Sequence, residues 1–542
     1  MKSASRALLP RHDHLKDKAL LCAIAPDRLS ADRTTALRYG RAARLAISGE
    51  PKGIAGVWIR KQVRARIVNG WLILIALLGA IIAFADGLTR APITEREAAW
   101  NGPLQYEPYA GAFCLAALTL PLMFAYLRRA RASLQEGLFL WFVFCTAAYT
   151  RDFSYIRWPG VPLFVTDVVL LILFLSIYLL PARRDLRVPV PVILLLISLV
   201  AAGAVAAVRG FLGHRDAVFI GRDFALVMYP LFLLVAHHLL RSWLSIKRLA
   251  VFLALGVALS VINGFGWFLA APQERRFIYY GTYILIALLG TFVASAHRLI
   301  PAQAGWILAS LFCLGLALAN ARSLYVSLFG LIVMELCGLA LVRGKIPWTR
   351  TATTLVAAAI LIGAIAFVFL RTDAGRDLAE RSAQELSSGI LDSGEDMNWQ
   401  FRLSAWKEAW RRFEEYPLAG EGFGIPFVFD VLPFDNDPRP HNTFLTVLYK
   451  TGLVGFLPML SLLVYFFWIA LHAVYRNSKS NRVAFLWVVV LAQTAFCFYG
   501  TANLLFESPF LASLFWAFMG LGFRMVRMLD VEKRLMRSSD GH

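Results

Sequence analysis

Long apolar runs recur along the chain between residues 68 and 526. A run of roughly 17–25 apolar residues crosses about 30 Å of hydrocarbon as an α-helix, which keeps every backbone polar group hydrogen-bonded away from water. The third run is short, and only four residues separate the ninth from the tenth. The pattern therefore predicts an all-α polytopic membrane protein with about 12–14 transmembrane helices. The candidate spans are 68–85, 109–127, 137–150, 161–180, 189–208, 223–240, 249–270, 278–297, 304–319, 324–342, 352–370, 453–474, 483–500 and 507–526.

The polar stretch 371–452 is much longer than any other segment between two spans. It is long enough for a small subdomain outside the membrane. The sequence therefore predicts five parts in chain order. They are a basic N-terminal tail (1–67), a bundle of about eleven spans (68–370), this loop subdomain (371–452), three last spans (453–526) and a C-terminal tail (527–542).

Within the loop subdomain, large apolar residues recur at spacings of 4, 3, 4 and 3, which predicts a stripe along one helix. Pro417 and the glycines that follow it end this helix. A tryptophan-rich stripe flanked by Arg and Lys suits a helix that lies at the level of the lipid headgroups. It suits equally a helix that packs onto the spans, and both readings stay open. The stripe consists of Trp399, Leu403, Trp406, Trp410 and Phe413.

The net charge of +20 is distributed by side of the membrane. With a cytoplasmic N-terminus, the cytoplasmic segments hold 36 Lys and Arg against 10 Asp and Glu, whereas the outer segments hold 19 against 24. This is the asymmetry of the positive-inside rule, so the basic charge is an orientation signal and not a nucleic-acid site. It predicts that both termini are cytoplasmic and that the loop 371–452 lies on the outer side.

Several arginines on the outer side oppose that orientation signal. Arg222, Arg275, Arg276 and Arg322 lie at the ends of spans. An arginine at membrane depth costs roughly 2.5–3.5 kcal/mol, so it pairs with an anion or faces a cavity. Guanidinium groups bind phosphate oxygens in a bidentate manner, and several of them around one outer cavity would form a diphosphate site. Each one taken alone is explained as well by a headgroup anchor or a structural ion pair.

His441 and Asn442 stand directly before an apolar run on the outer side. Asn442 is a good N-cap for the helix that begins "TFLTV", with His441 as its neighbour. Histidine is also the side chain best suited to deprotonate a hydroxyl at neutral pH. The two readings are compatible, because a cap at Asn442 would fix the geometry of His441.

Other patterns of candidate chemistry are weak. The six cysteines do not pair in a metal-ligand spacing, and no Cys-x-x-Cys or His-x-x-x-His pattern occurs. The "DND" at 435–437 matches the Asp-x-Asp of metal-dependent nucleotide-sugar transferases, but it falls on the outer side, where nucleotide sugars are not expected. The sequence predicts no metal site and no cofactor.

Two stretches, "FRLSAWKEAWRRFEEYPLAGEGFG" and "HNTFLTVLYKTGLVGF", resemble the signature region of the O-antigen ligase and polymerase family. Upstream, "ERRFIYYGTY" and "NARSLYVSLFGLIV" resemble the outer arginine motifs of that family, and the likeness covers about residues 200–475. The matching positions in the signature region are Arg402, Trp406, Pro417, Leu418, Gly420, Gly422, His441, Asn442, Leu445, Gly452, Leu453 and Gly455.

The resemblance implies a GT-C-like helical bundle in the bacterial inner membrane that acts as a metal-independent inverting glycosyltransferase. Its donor would be a glycan on undecaprenyl diphosphate at the periplasmic face. The acceptor would be a sugar hydroxyl of lipid A-core in a ligase, or of another lipid-linked glycan in an O-antigen or exopolysaccharide polymerase. A transporter of lipid-linked oligosaccharide is the remaining alternative.

The resemblance also implies roles for single residues. His441 would be the catalytic base. Asn442, Arg222 and Trp406 would support the site. The diphosphate would be bound by Arg275, Arg276, Arg322 and Arg402.

Overall fold

The structure of the chain is a computed structural model. The described residues are 52–89, 110–130, 132–156, 163–179, 188–270, 281–319, 397–427, 439–478 and 480–540, with the short run 330–334 and single positions between 324 and 380. Their regular elements are all α-helices. They are α1 (Lys52–Thr89), α2 (Ala110–Arg129), α3 (Leu134–Ser154), α4 (Val165–Leu179), α5 (Val190–Leu212), α6 (Ala217–Met228), α7 (Leu231–Leu239), α8 (Trp243–Ala270), α9 (Gly281–Ala296), α10 (Ala302–Ala319), α11 (Met397–Glu415), α12 (Thr443–Arg476), α13 (Val483–Gly500) and α14 (Pro509–Asp540).

The predicted class is confirmed. Among the described residues, eight helices are long and apolar enough to cross a membrane, and nine if the bent pair α6 and α7 forms one span. Two predicted spans, 161–180 and 278–297, are the shorter apolar helices α4 and α9. The tenth and eleventh predicted spans lie wholly or largely outside the described residues, so the total of 12–14 stays a prediction. The eight are α1, α2, α5, α8, α10, α12, α13 and α14.

The sixth predicted span is not one straight helix. Its two parts, α6 and α7, are bent by 43° at Tyr229 and Pro230. Proline has no backbone N–H and its ring collides with the preceding turn, so it breaks the helix at that point. The charged half, α6, therefore takes a direction of its own at one end of the bundle.

The twelfth predicted span begins ten residues earlier than the apolar run indicated, at Thr443, and is broken at Gly452. Gly452 has a φ of 62°, which glycine adopts without steric cost. The turn after α11 fills this break. The backbone N–H groups of Leu453 and Val454 donate to the carbonyls of Pro417 and Leu418 at 2.9 and 3.1 Å.

The turn also donates hydrogen bonds to residues of α12 that precede the break. Glu421 N–H donates to the Tyr449 carbonyl at 2.7 Å, and Gly422 N–H donates to the Lys450 carbonyl at 3.0 Å. The carbonyls freed by the break thus gain partners, and the turn 417–424 and α12 form one hydrogen-bonded unit. We call it the turn–helix junction.

Helix α11 packs on this junction through its small residues. Ala405 and Ala409 are buried against Phe427 and Tyr449, and Phe413 packs at the edge of that cluster. The predicted helix is therefore present with the predicted stripe. The stripe flanks the buried face instead of forming it, since Trp399, Leu403 and Trp410 are 39%, 39% and 49% exposed.

Segments that the charge distribution predicts on the same side of the membrane meet at the same end of the bundle. The end of α5, the turn 417–424 and the start of α12 meet at one end, where Thr443 also contacts the loop after α13. At another end, Trp243 and Arg482 both donate to Glu532. We call the first of these the His441 end.

Gly420→Ala and Gly452→Ala test the turn–helix junction. Gly420 has a φ of 68°. A Cβ on Gly420 would lie 2.4–2.5 Å from backbone atoms of α12, and a Cβ on Gly452 would lie 2.3–2.5 Å from backbone atoms of the turn. We expect each variant to lower the free energy of unfolding by about 1–3 kcal/mol or more, because both strain and collision arise. Thermal unfolding of the detergent-purified protein measures this.

The matched control is Gly264→Ala in α8, where a Cβ would meet no atom within 4 Å. Alanine in a helix with free space leaves stability unchanged or raises it by about 0.4–1 kcal/mol. Equal melting temperatures for the Gly452 and Gly264 variants would contradict the role assigned to the junction.

Candidate active site at the His441 end

Asn442 caps α12, as the sequence predicts. Its φ and ψ of −145° and 102° are extended, and its side-chain oxygen accepts from the N–H groups of Phe444 and Leu445, both at 3.1 Å. The cap satisfies two of the backbone donors that begin a helix. It also fixes the residue before it, His441, at the N-terminal edge of the helix.

His441 has a left-handed backbone with a φ of 47°. For a residue with a side chain this conformation costs roughly 1–2 kcal/mol, and it persists only where neighbouring groups hold it. Thr150, His214 and Arg298 also have positive φ, so the conformation alone does not mark a site. The contacts of His441 distinguish it.

Helix α11 holds His441 from one side. The indole N–H of Trp406 donates to the carbonyl of Pro440 at 2.8 Å, which fixes the peptide group that leads into His441. The ring of Phe401 stands edge-on to the imidazole, with ring centroids 5.8 Å apart. The imidazole is half-buried. Two residues of the amphipathic helix thus position the backbone and the ring.

The loop between α13 and α14 holds the next residue from another side. The hydroxyl of Thr443 accepts from Leu505 N–H at 2.7 Å and contacts the carbonyl of Asn503 at 3.4 Å. Phe444 packs edge-on against Phe506. The segment 440–444 is therefore fixed by α11 and by the loop 501–508, which are far apart in sequence.

A buried ion pair lies two turns further along α12. Lys450 Nζ is 2.5 Å from Asp223 Oδ2, and these side chains are 2% and 3% exposed. The same carboxylate oxygen accepts from the N–H of Gly424 at 2.9 Å. Asp223 of α6 therefore joins α12 to the glycine-rich turn. Replacing one partner of such a pair leaves a buried charge uncompensated.

Arginines of the His441 end bind the glycine-rich turn. Arg209 donates to the carbonyl of Gly420 and lies over the ring of Tyr416, 5.4 Å from its centroid. Arg215 donates to the carbonyls of Glu421 and Phe423 at 3.2 and 3.3 Å. Burial lowers the pKa of Arg215 from its ordinary value. Both guanidinium groups therefore help to hold the backbone of the turn.

A cluster of charges joins α11 to the turn. Arg412 donates to Glu408 at 2.8 Å and to Glu421 at 3.2 Å. Arg411 also donates to Glu408, at 2.7 and 2.8 Å. Hydrogen bonds from Arg411 and Arg412 lower the pKa of Glu408 to about 2. Glu408 therefore stays ionised, and α11 is held to the turn by charge as well as by packing.

Five of the predicted site residues lie within the described part of the chain, and three of them are linked to one another. His441, Asn442 and Trp406 are directly linked. Arg402 is half-buried on α11 beside Phe401. Arg222 directly precedes Asp223 on α6. Its guanidinium carbon lies 5.0 Å from the Phe219 ring centroid, and its charge acts on Lys450.

Arg275, Arg276 and Arg322 lie outside the described residues, as does the "DND" at 435–437. Their convergence on one cavity stays a prediction. Within the described ranges, no group of three or more His, Cys, Asp or Glu is placed to hold a metal ion.

Sequence reasoning missed Lys450, Thr443 and the linking role of Asp223. One signal was present, because Lys450 interrupts an apolar run, and a charge inside a span marks a buried partner or a functional site. Nothing in the sequence identifies Asp223 as that partner. Thr443 follows the cap and gives no signal of its bond to Leu505.

Lys450→Met tests the buried ion pair. It leaves the Asp223 carboxylate buried beside a neutral group, and we expect the free energy of unfolding to fall by about 3–5 kcal/mol. The double variant Asp223→Asn with Lys450→Met removes both charges and keeps an acceptor for Gly424 N–H, so much of that loss is regained. Thermal unfolding in a double-mutant cycle measures the coupling.

The control is Lys407→Met, since Lys407 is exposed on α11. A surface substitution of this kind changes stability by at most about 0.5 kcal/mol. A Lys450 variant as stable as this control would show that the ion pair does not hold α6 to α12.

The site lies within a segment that matches a known family. A family model described as O-antigen ligase matches residues 307–460, which include α11, the glycine-rich turn, His441 and the first half of α12. None of the curated proteins compared with the chain matches it. The family match agrees with the order of motifs found in the sequence, and it supports a likeness of residues 307–460 to the O-antigen ligase and polymerase family.

Proposed function

We propose that the chain is a membrane glycosyltransferase of the O-antigen ligase type. It would transfer a glycan from undecaprenyl diphosphate to a sugar hydroxyl of lipid A-core at the periplasmic face of the bacterial inner membrane. The observation that carries the proposal is the family match over the segment that holds His441. The charge asymmetry of the loops supports the periplasmic orientation.

His441 is the proposed general base. Its imidazole takes the proton of the acceptor hydroxyl as the oxygen attacks the anomeric carbon of the donor. The new glycosidic bond forms as the bond between that carbon and the diphosphate oxygen breaks. The electron pair leaves with the polyprenyl diphosphate, and attack from the opposite face inverts the anomeric configuration. The contacts of Trp406 and Asn442 support this role, because a base must be held in a fixed direction.

Arginines are the proposed diphosphate ligands. The leaving diphosphate gains negative charge in the transition state, and positively charged donors placed beforehand stabilise that charge without a metal ion. Arg275 or Arg276, Arg322 and Arg402 fill this role in the proposal, with Arg222 in support. Arg209 and Arg215 donate through Nη1 to backbone carbonyls of the turn, and the proposal gives them the role of holding that turn.

A polymerase of the same family uses the same donor chemistry with a different acceptor, the sugar at the non-reducing end of another lipid-linked chain. The features described at the His441 end serve both reactions equally. A transporter of the lipid-linked glycan is the third reading. It would move its substrate without forming a glycosidic bond.

His441→Ala tests the catalytic base. We expect the rate of glycan transfer by the purified enzyme in proteoliposomes to fall by about 10²–10⁴ or more, as for other general bases, with donor binding retained. Transfer is measured from radiolabelled glycan, and binding from co-purified lipid-linked donor.

His214→Ala is the matched control. His214 is a second histidine with a positive φ, in the loop after α5, and it is exposed. Its variant is expected to transfer glycan as the wild type does. Retained turnover in the His441 variant would refute the base assignment.

The product distinguishes the three readings. Glycan attached to lipid A-core identifies a ligase, and lengthened glycan still on the polyprenyl lipid identifies a polymerase. Movement of the donor lipid across the bilayer without a new bond would overturn the glycosyltransferase proposal.

A further inference from the structure

Helix α11 presents three different faces. Ala405 and Ala409 form the inward face, and Arg411 and Glu415 are exposed on a polar face. The tryptophan-rich stripe lies between these two faces. We call it the aromatic face of α11. Its members Trp399, Leu403 and Trp410 remain 39–49% exposed although they are large and apolar.

The aromatic face continues past the end of the helix. Tyr416 and Leu418, in the turn that follows, are 45% and 68% exposed. The Leu418 carbonyl accepts from Val454 N–H at 3.1 Å, so these two residues are neighbours. Val454 is itself 55% exposed and belongs to the spanning helix α12.

Beyond Val454, exposed apolar residues recur on α12 at helical spacing. A spanning helix turns such a face toward lipid, because lipid tails are the apolar surroundings available to it. The surface of α11 is therefore continuous with a lipid-facing stripe. That stripe consists of Val454, Leu457, Val464, Trp468, Leu471 and Tyr475.

From this continuity we propose that the aromatic face of α11 lies in the headgroup layer of the membrane and binds phospholipid. An amphipathic helix with Trp and Leu on one face and Lys and Arg on the other lies in the plane of the interface with its apolar face in the acyl boundary. Tryptophan is enriched at that level in membrane proteins. The proposal concerns lipid contact and holds whatever reaction the site performs.

The polar groups of α11 fit this placement. The indole N–H of Trp410 donates to Glu414 at 2.7 Å, so the ring enters the interface with its only donor already bonded. The carboxylates of Glu408 and Glu415 are paired with Arg411. Aliphatic Leu403 and Leu418 belong to the same surface, which favours lipid over a glycan stacked on the rings.

Photo-crosslinking at two positions of the full-length protein tests the proposal. The crosslinking residue p-benzoylphenylalanine replaces Leu403 on the aromatic face or Glu415 on the polar face, in nanodiscs of phosphatidylethanolamine and phosphatidylglycerol. We expect phospholipid adducts at position 403, with a several-fold weaker or absent adduct at position 415. Intact-mass measurement detects them.

A second arm uses the native fluorescence and needs no unnatural residue. Brominated phosphatidylcholine in the nanodisc quenches tryptophans that lie in lipid. Trp410→Phe keeps an aromatic ring and is expected to remove part of the quenched signal, and Trp516→Phe, which removes a fully buried ring on α14, is expected to remove none.

Three results would overturn the proposal. They are equal lipid adducts at positions 403 and 415, a quenched signal that Trp410→Phe leaves unchanged, or adducts at 403 to added soluble O-polysaccharide with none to lipid. Because none of these measurements reads glycan transfer, they stand apart from the test of His441.

Discussion

The hydrogen bonds between the glycine-rich turn and the break in α12 are the interaction on which the site depends. A spanning helix broken at Gly452 leaves backbone groups without partners, and in lipid such groups are costly. The turn 417–424 supplies those partners. In doing so it fixes α11, which directly precedes the turn, over the first turns of α12. His441 is thereby enclosed between a helix that packs from the loop subdomain and a helix that enters the membrane.

Charged side chains add further bonds to the turn–helix junction. Asp223 binds both parts of the junction, α12 through Lys450 and the turn through Gly424. Arg209 and Arg215 bind the outer edge of the same turn, and Arg412 ties it to α11. Four helices therefore meet at a turn of eight residues. The cations nearest to the turn are used by the fold, which separates them from the arginines proposed to hold the diphosphate.

Local features were predictable from the sequence, and long-range ones were not. The spans, α11 and the cap at Asn442 follow from periodicity and from capping chemistry within a few residues. Asp223 and Lys450 are 227 residues apart, and no pattern within one sequence pairs them. The break at Gly452 was not predicted, because the span read from hydropathy begins only at residue 453. The left-handed backbone of His441 depends on neighbours from α11 and from the loop 501–508, so it could not be read locally.

The break at Gly452 has a mechanical consequence. A helix that spans a bilayer changes its tilt with the thickness of the hydrocarbon layer. The residues before the break, 443–451, form about two and a half turns at 3.6 residues per turn, and they are bonded sideways to the turn and to the loop 501–508. The same turn also binds Leu453 and Val454 on the far side of the break, so it holds the two parts of α12 together across Gly452. A change of tilt in the longer part would therefore act on the turn 417–424, and through it on α11, as well as on the residues that follow His441.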